Sequence, residues 1–139
     1  MGLTHEFYLT NFPALQETED MIVLHDDLIS YIWDSLNWLP TFNASTKEEH
    51  SGLHYHGITL IPKNSAPLFK SIILAWCSLF SLGPQTIELT GRYVIDGDGM
   101  GNYEKCFFSK DELVKTLSTL AELLDRVQDD NQCILHHGI

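Results

Sequence analysis

Residues 19–40 read EDMIVLHDDLISYIWDSLNWLP, a run in which apolar and acidic residues alternate in blocks. Met21, Leu24, Leu28, Ile32, Leu36 and Leu39 recur at helical spacing. The acidic residues Glu17, Glu19 and Asp20 suit a helix N-terminus, and Pro40 is a stop. The spacing therefore predicts one helix over Glu19–Leu39. On a wheel of about 100° per residue, Asp20, Asp27 and Asp34 stack within roughly 40° of one another, with Glu19 and Asp26 beside them. Met21, Leu28, Ile32 and Leu36 point the other way. The expected helix thus carries an acidic seam, with Tyr31 and Trp33 at its edge and His25 on its apolar side.

On the N-terminal side, His5–Thr10 is rich in β-formers and ends at the turn signal Asn11-Phe12-Pro13, which predicts a first strand. On the C-terminal side, Thr41–Ser51 is polar and reads as a loop. Leu53–Ile61 reads as an interior strand, because both of its faces turn apolar toward Pro62. Ser65, Pro67 and the apolar run to Phe80, closed by Gly83-Pro84, predict a second helix packed on more than one side. Thr86–Ile95 and Tyr103–Phe108 flank DGDGMGN and read as a hairpin, with Gly91 marking a bulge. Ser109 and Glu112 form a capping box for a third helix striped by Leu113, Leu117, Leu120, Leu124 and Val127. Cys133–Leu135 closes the chain as a short strand. The expected fold is a two-layer α/β domain spanning residues 1–139, with a mixed sheet of four or five strands and three helices.

Composition sets the partners. The chain has 139 residues, 44% of them hydrophobic, enough for one ordinary core. Its 19 acidic and 8 basic residues leave a net charge of −11, which opposes nucleic-acid backbones and anionic membranes and favours cationic partners. From Met1 to Thr46 there are seven acidic residues and no Lys or Arg, so this third holds −7 of that total. No secretory leader is visible after Met1, and the stretch Ala66–Leu82 is interrupted by Lys70 and three serines, so neither export nor a membrane span is expected. Cys77, Cys106 and Cys133 are an odd, widely spaced set that suits reduced thiols in the cytosol.

Motifs for chemistry are sparse. His54 and His56 in GLHYHG would point to one face of a strand, where two imidazoles can chelate one ion, with His50, Glu48 or Glu49 nearby. Catalytic zinc wants three protein ligands, and neither a His-Glu-x-x-His nor a His-Cys-Cys set is present. The run His56-Gly57-Ile58-Thr59-Leu60 resembles the His-x-Thr elements of two-histidine phosphoesterases, but its spacing is one residue too long and it has no second copy. The His-x-His of cupins expects a following glutamate where this chain has Leu60. Asp96 and Asp98 resemble the start of a calcium loop, whose register then fails at Met100 and Phe107. Ser51, Ser65 and Ser109 lie in no nucleophile elbow, and no phosphate-binding loop is found.

An acidic seam with no base at i±4 and with aromatics at its edge is suited to docking a basic protein, since charge speeds encounter and rings anchor. Partner-binding residues are therefore expected among Glu19, Asp20, Asp26, Asp27, Tyr31, Trp33 and Asp34, with no metal and no cofactor. Acidic, motif-free domains of this size include inhibitors and bacterial immunity proteins that neutralise basic toxins. The alternative expectation is a metal-assisted hydrolase using His54 and His56.

Overall fold

The computed structural model describes residues 3–15, 18 and 20–139. Its elements are β1 (Thr4–Asn11), β2 (Met21–His25), α1 (Asp26–Leu36), β3 (Pro40–Asn43), β4 (Glu49–Ser51), β5 (Ile58–Pro62), α2 (Ala66–Ser81), β6 (Thr86–Ile95), β7 (Gly101–Ser109), α3 (Lys110–Asp125) and β8 (Gln132–His137). Six strands form one sheet in the order β2-β1-β8-β5-β3-β4, and β6 with β7 forms a separate two-stranded hairpin. The two layers and the three helices match the expected fold class. The sheets hold more strands than expected, and every pairing in them is antiparallel.

Residues 19–40 are where expectation and structure part. Met21–His25 is an edge strand against β1, and the helix starts only at Asp26. A run of five such residues fits either period, and Ile22 and Val23 are β-branched, so pairing with β1 decides the outcome. Leu24 is buried while its neighbour Val23 is exposed, the alternation of a strand. The His25 ring caps α1 by accepting from the Asp27 backbone N–H at 3.0 Å, so it is no core histidine. The seam of Asp20, Asp27 and Asp34 stacked on one helix does not form. Glu17 and Glu19 lie outside the described residues.

Two further differences bear on function. Thr41–Ser51, expected as a loop, carries the small antiparallel pair β3–β4 at the sheet edge. Leu53–Ile61 becomes a strand only from Ile58; the stretch before it is a turn, and Gly52 takes a φ of +80° where a Cβ would collide with Asn37. His54 and His56 therefore do not share a strand face.

Strand register assigns the two faces of the six-stranded sheet. Phe7, His136 and Thr59 lie side by side across β1, β8 and β5, on the face that packs with Ile61, Ile134 and all three helices into the main core. The opposite face carries the row Met21, Tyr8, Leu135, Leu60 and Phe42, which lies outside that core cluster. The helices are joined by packing of α2 on α3, and the Trp76 Nε1–H donates to Ser35 Oγ at 2.9 Å, tying α2 to α1. The Ser109 cap forms as expected, accepting from the Glu112 N–H, and the β6–β7 register slips between Thr90 and Tyr93, at the bulge expected from Gly91. Among the described residues no helix is long and apolar enough to cross a membrane.

If Met21–His25 is a strand with one face buried, Leu24→Ala should cost about 2–5 kcal/mol. Val23→Ala, one residue away on the other face, should cost well under that. Urea unfolding of both variants with an unchanged m-value checks the contrast.

Candidate functional site

The junction between β2 and α1 carries the most polar group of the interior. Because β2 pairs with β1 so that Thr4 faces His25, the chain enters α1 directly over His5, and the Asp26 N–H is held by the Leu3 carbonyl at 2.9 Å. Asp26 is buried, and its carboxylate accepts from His5 Nε2 (2.8 Å) and from the Tyr55 hydroxyl (2.8 Å). His5 Nδ1 lies 2.9 Å from His136 Nε2, His136 Nδ1 lies 3.2 Å from Thr59 Oγ1, and that oxygen accepts from the His54 backbone N–H at 2.8 Å. With both rings neutral every link has one donor and one acceptor: Thr59 donates to His136, His136 to His5, and His5 to Asp26. His5, Thr59 and His136 are fully buried. Burial, reinforced by the neighbouring His5, His137 and His54 rings, pushes His136 down from its ordinary 6.5 to about 3.

This chain of side chains ends at a cleft. Tyr55 is held protonated by burial and by its bond to Asp26, which raise its pKa. Beyond Asp26, a cleft of about 370 Å³ runs between α1 and the β6–β7 hairpin, walled by Asp27, Ser30 and Tyr31 on the helix and by Arg92, Glu104 and Cys106 on the hairpin. Burial, then the hydrogen bond to Asp27, pushes the Cys106 thiol up to about 11, the wrong direction for a nucleophile at neutral pH. The cleft offers two carboxylates, Asp27 and Glu104, against one guanidinium, while the Asp26 carboxylate behind it is already bonded to His5 and Tyr55.

The residues expected at a partner surface are thus dispersed. Asp27, Tyr31 and Asp34 remain on α1 at i, i+4 and i+7, a single helix face of which Asp27 and Tyr31 line this cleft. Asp20 lies before β2, away from that face, and bridges Arg126 at 3.0 Å. Asp26 points inward. Trp33 is half-buried with its ring edge-on to Tyr55, whereas Tyr31 is 44% exposed while resting on Trp76 and Phe80. Glu19 is not among the described residues. The histidine pair separates as well: His54 stacks on His50 at 3.9 Å with its Nε2 buried and without a hydrogen-bond partner among the described residues, while His56 Nδ1 donates to the Ile139 carbonyl at 3.1 Å. Among the described residues no three His, Cys, Asp or Glu side chains converge in a way that could hold a metal ion. Glu104, Arg92, His5 and His136 were not singled out from sequence; only strand pairing brings His5 and His136, 131 residues apart, together.

No family model matches the chain, and neither a curated protein nor a solved structure matches it.

Two outcomes follow from the buried chain. Between pH 6.5 and about 3 the unfolded protein binds a proton at His136 that the folded protein does not, so stability is lost as pH falls, by up to about 1.4 kcal/mol per unit. Urea unfolding from pH 7 to 5 should show this slope, and His136→Gln should make it shallower by about one proton. Asp26→Ala should cost about 1–3 kcal/mol at neutral pH, because two donors lose their acceptor.

Proposed function

We propose that the protein is a non-enzymatic binding module that takes up a basic segment of a partner protein in the cleft between α1 and the β6–β7 hairpin. The observation that carries this reading is the cleft itself, lined by Asp27 and Glu104 beside a single Arg92, with the exposed Tyr31 ring at the lip. The excess of carboxylate suits a Lys or Arg side chain, and the net charge of −11 favours approach of a cationic protein over a nucleic acid. The outer side of the hairpin adds Tyr93, Tyr103 and Phe107, each more than half exposed, and aromatic residues are the usual anchors of such contacts. The high pKa of Cys106 gives the cleft no activated thiol, in keeping with binding and not catalysis. An inhibitor or immunity-type protein acting in the cytosol on a basic target fits these features, and the three free cysteines suit that compartment.

The test uses wild-type protein and the double variant Asp34→Lys, Glu104→Lys, the first on the helix face that continues past the cleft and the second in its wall, both exposed and outside the buried chain. Asp27 is changed only to Asn, because it sits in the first turn of α1 where an acid supports the helix. A basic protein retained from the host lysate by wild type at low salt and lost by the double variant is the expected result, with an association rate that falls as salt rises. Tyr31→Ala should speed dissociation by about tenfold or more if the ring is an anchor, with its melting temperature measured in parallel because the ring also rests on Trp76. Equal retention by wild type and the double variant would remove the reading.

A further inference from the structure

The sheet face opposite the helices is unusual for an antiparallel sheet, which commonly turns polar residues outward on its open side. Here Tyr8, Leu60, Cys133 and Leu135 lie on that face, each under 10% exposed. At its β5 side a cleft of about 300 Å³ opens, with Phe12, Phe42, Leu60 and Pro62 as walls and Cys133 among the lining residues. Two of the chain's eight cations, Lys47 and Lys63, line this apolar space. Lys63 is paired with Asp130 at 3.1 Å. Lys47 has no carboxylate within ion-pair distance among the described residues; its ammonium donates to the Ala44 carbonyl at 2.7 Å and lies 5.3 Å from the Phe12 ring centroid. The cleft therefore holds one cation in excess, set against aromatic and aliphatic walls.

The backbone at Lys47 adds an independent observation. It has a φ of +64° and is the one non-glycine residue with positive φ among those described. That left-handed conformation is costly for a residue with a Cβ, and glycine or asparagine would fill the β3–β4 turn with less strain. The turn is otherwise well held: Asn43 Oδ1 accepts from the Ser45 and Thr46 N–H groups, and the Lys47 N–H donates to the Asn43 carbonyl. What the lysine provides in exchange for strain is an ammonium at an apolar cleft, and strain of this kind concentrates at binding sites.

We propose that this cleft binds a small amphipathic carboxylate of the medium-chain fatty acid type, its hydrocarbon against Phe12, Phe42, Leu60 and Pro62 and its carboxylate on Lys47. The volume lies at the lower end of the range for small-molecule pockets. An acidic macromolecule would be repelled by the net charge of −11, whereas a single carboxylate meets the local excess of cation. The proposal is independent of the α1 cleft and stands or falls without it.

Calorimetric titration with decanoate, decanol and decylamine, each below its micelle concentration, tests the ligand class on the full chain. Decanoate should bind at one equivalent and raise the melting temperature, with decanol weaker and decylamine weakest. The decisive variant is Lys47→Gly, which removes the ammonium while relieving the left-handed backbone, so it should melt at or above wild type and yet bind decanoate about tenfold or more weakly. Lys47→Arg should retain binding, and Phe12→Ala, at a half-exposed wall, should weaken all three ligands together. The proposal is overturned if decanoate fails to bind at one equivalent, if decylamine binds as well as decanoate, or if folded Lys47→Gly binds decanoate as wild type does.

Discussion

A carboxylate taken out of water has to be met by donors, and the placement of Asp26 imposes that condition on much of the molecule. Its two oxygens are met by His5 from β1 and Tyr55 from the turn before β5, so the first helix, the second strand in sheet order and a connecting turn all converge on one side chain. His5 in turn needs His136 on the neighbouring β8, and His136 needs Thr59 on β5. A slip of one residue in either strand pairing would move these rings to the opposite face of the sheet and leave Asp26 unmatched. The polar chain thus acts alongside the hydrophobic core to set register: the core rewards any apolar row facing the helices, whereas the hydrogen bonds accept only one alignment.

The same constraint explains which parts of the fold were legible. α2, α3 and the β6–β7 hairpin were readable because their signals are local: a capping serine three residues before Glu112, a Gly-Pro stop after Leu82, and a glycine at the bulge. The stretch 19–40 departs from its expected single helix because MIVLH continues the helical period of the residues after it, and nothing local signals its pairing with β1. β3 and β4 were hidden for the opposite reason, since the edge pair is built from polar residues such as Thr41, Asn43, Glu49 and His50 that carry no alternation. The His54–His56 turn was signalled by Gly52 and Gly57 on its two sides, but the β-formers between them outweighed the punctuation.

The candidate site was legible only in part. Acidic character in the first third of the chain is a property of composition and survives in the structure, and Asp27, Tyr31 and Asp34 do share a helix face. Asp26 could not be told from Asp27 by sequence, although one is buried and bonded while the other stands at the lip of the cleft. Their difference is set by the first helical residue lying over His5. Arg126 shows the same override of local pairing: spacing favours Glu122 four residues earlier, yet the guanidinium reaches Asp20 across 106 residues of sequence.

The few cations show how an acidic surface is kept from being uniform. Lys70 and Arg126 neutralise Asp125 and Asp20 beside α3, and Lys105 lies near Glu88 on the hairpin, so these three pairs contribute little to any long-range field. Arg92 lines the α1 cleft together with Asp27 and Glu104, which leaves it net negative, while Lys47 stands at a cleft whose one carboxylate among the described residues, Asp130, is already taken by Lys63. Two clefts of opposite local charge therefore sit on one acidic chain, the negative one between helix and hairpin and the positive one on the sheet face opposite the helices. At about 0.15 M salt the field decays over about 8 Å, so the collective pull of the acidic surface on a basic protein weakens with salt. Lys47 is itself exposed, so a charge held there is screened as well, and discrimination at that cleft rests on its apolar walls, Phe12, Phe42, Leu60 and Pro62.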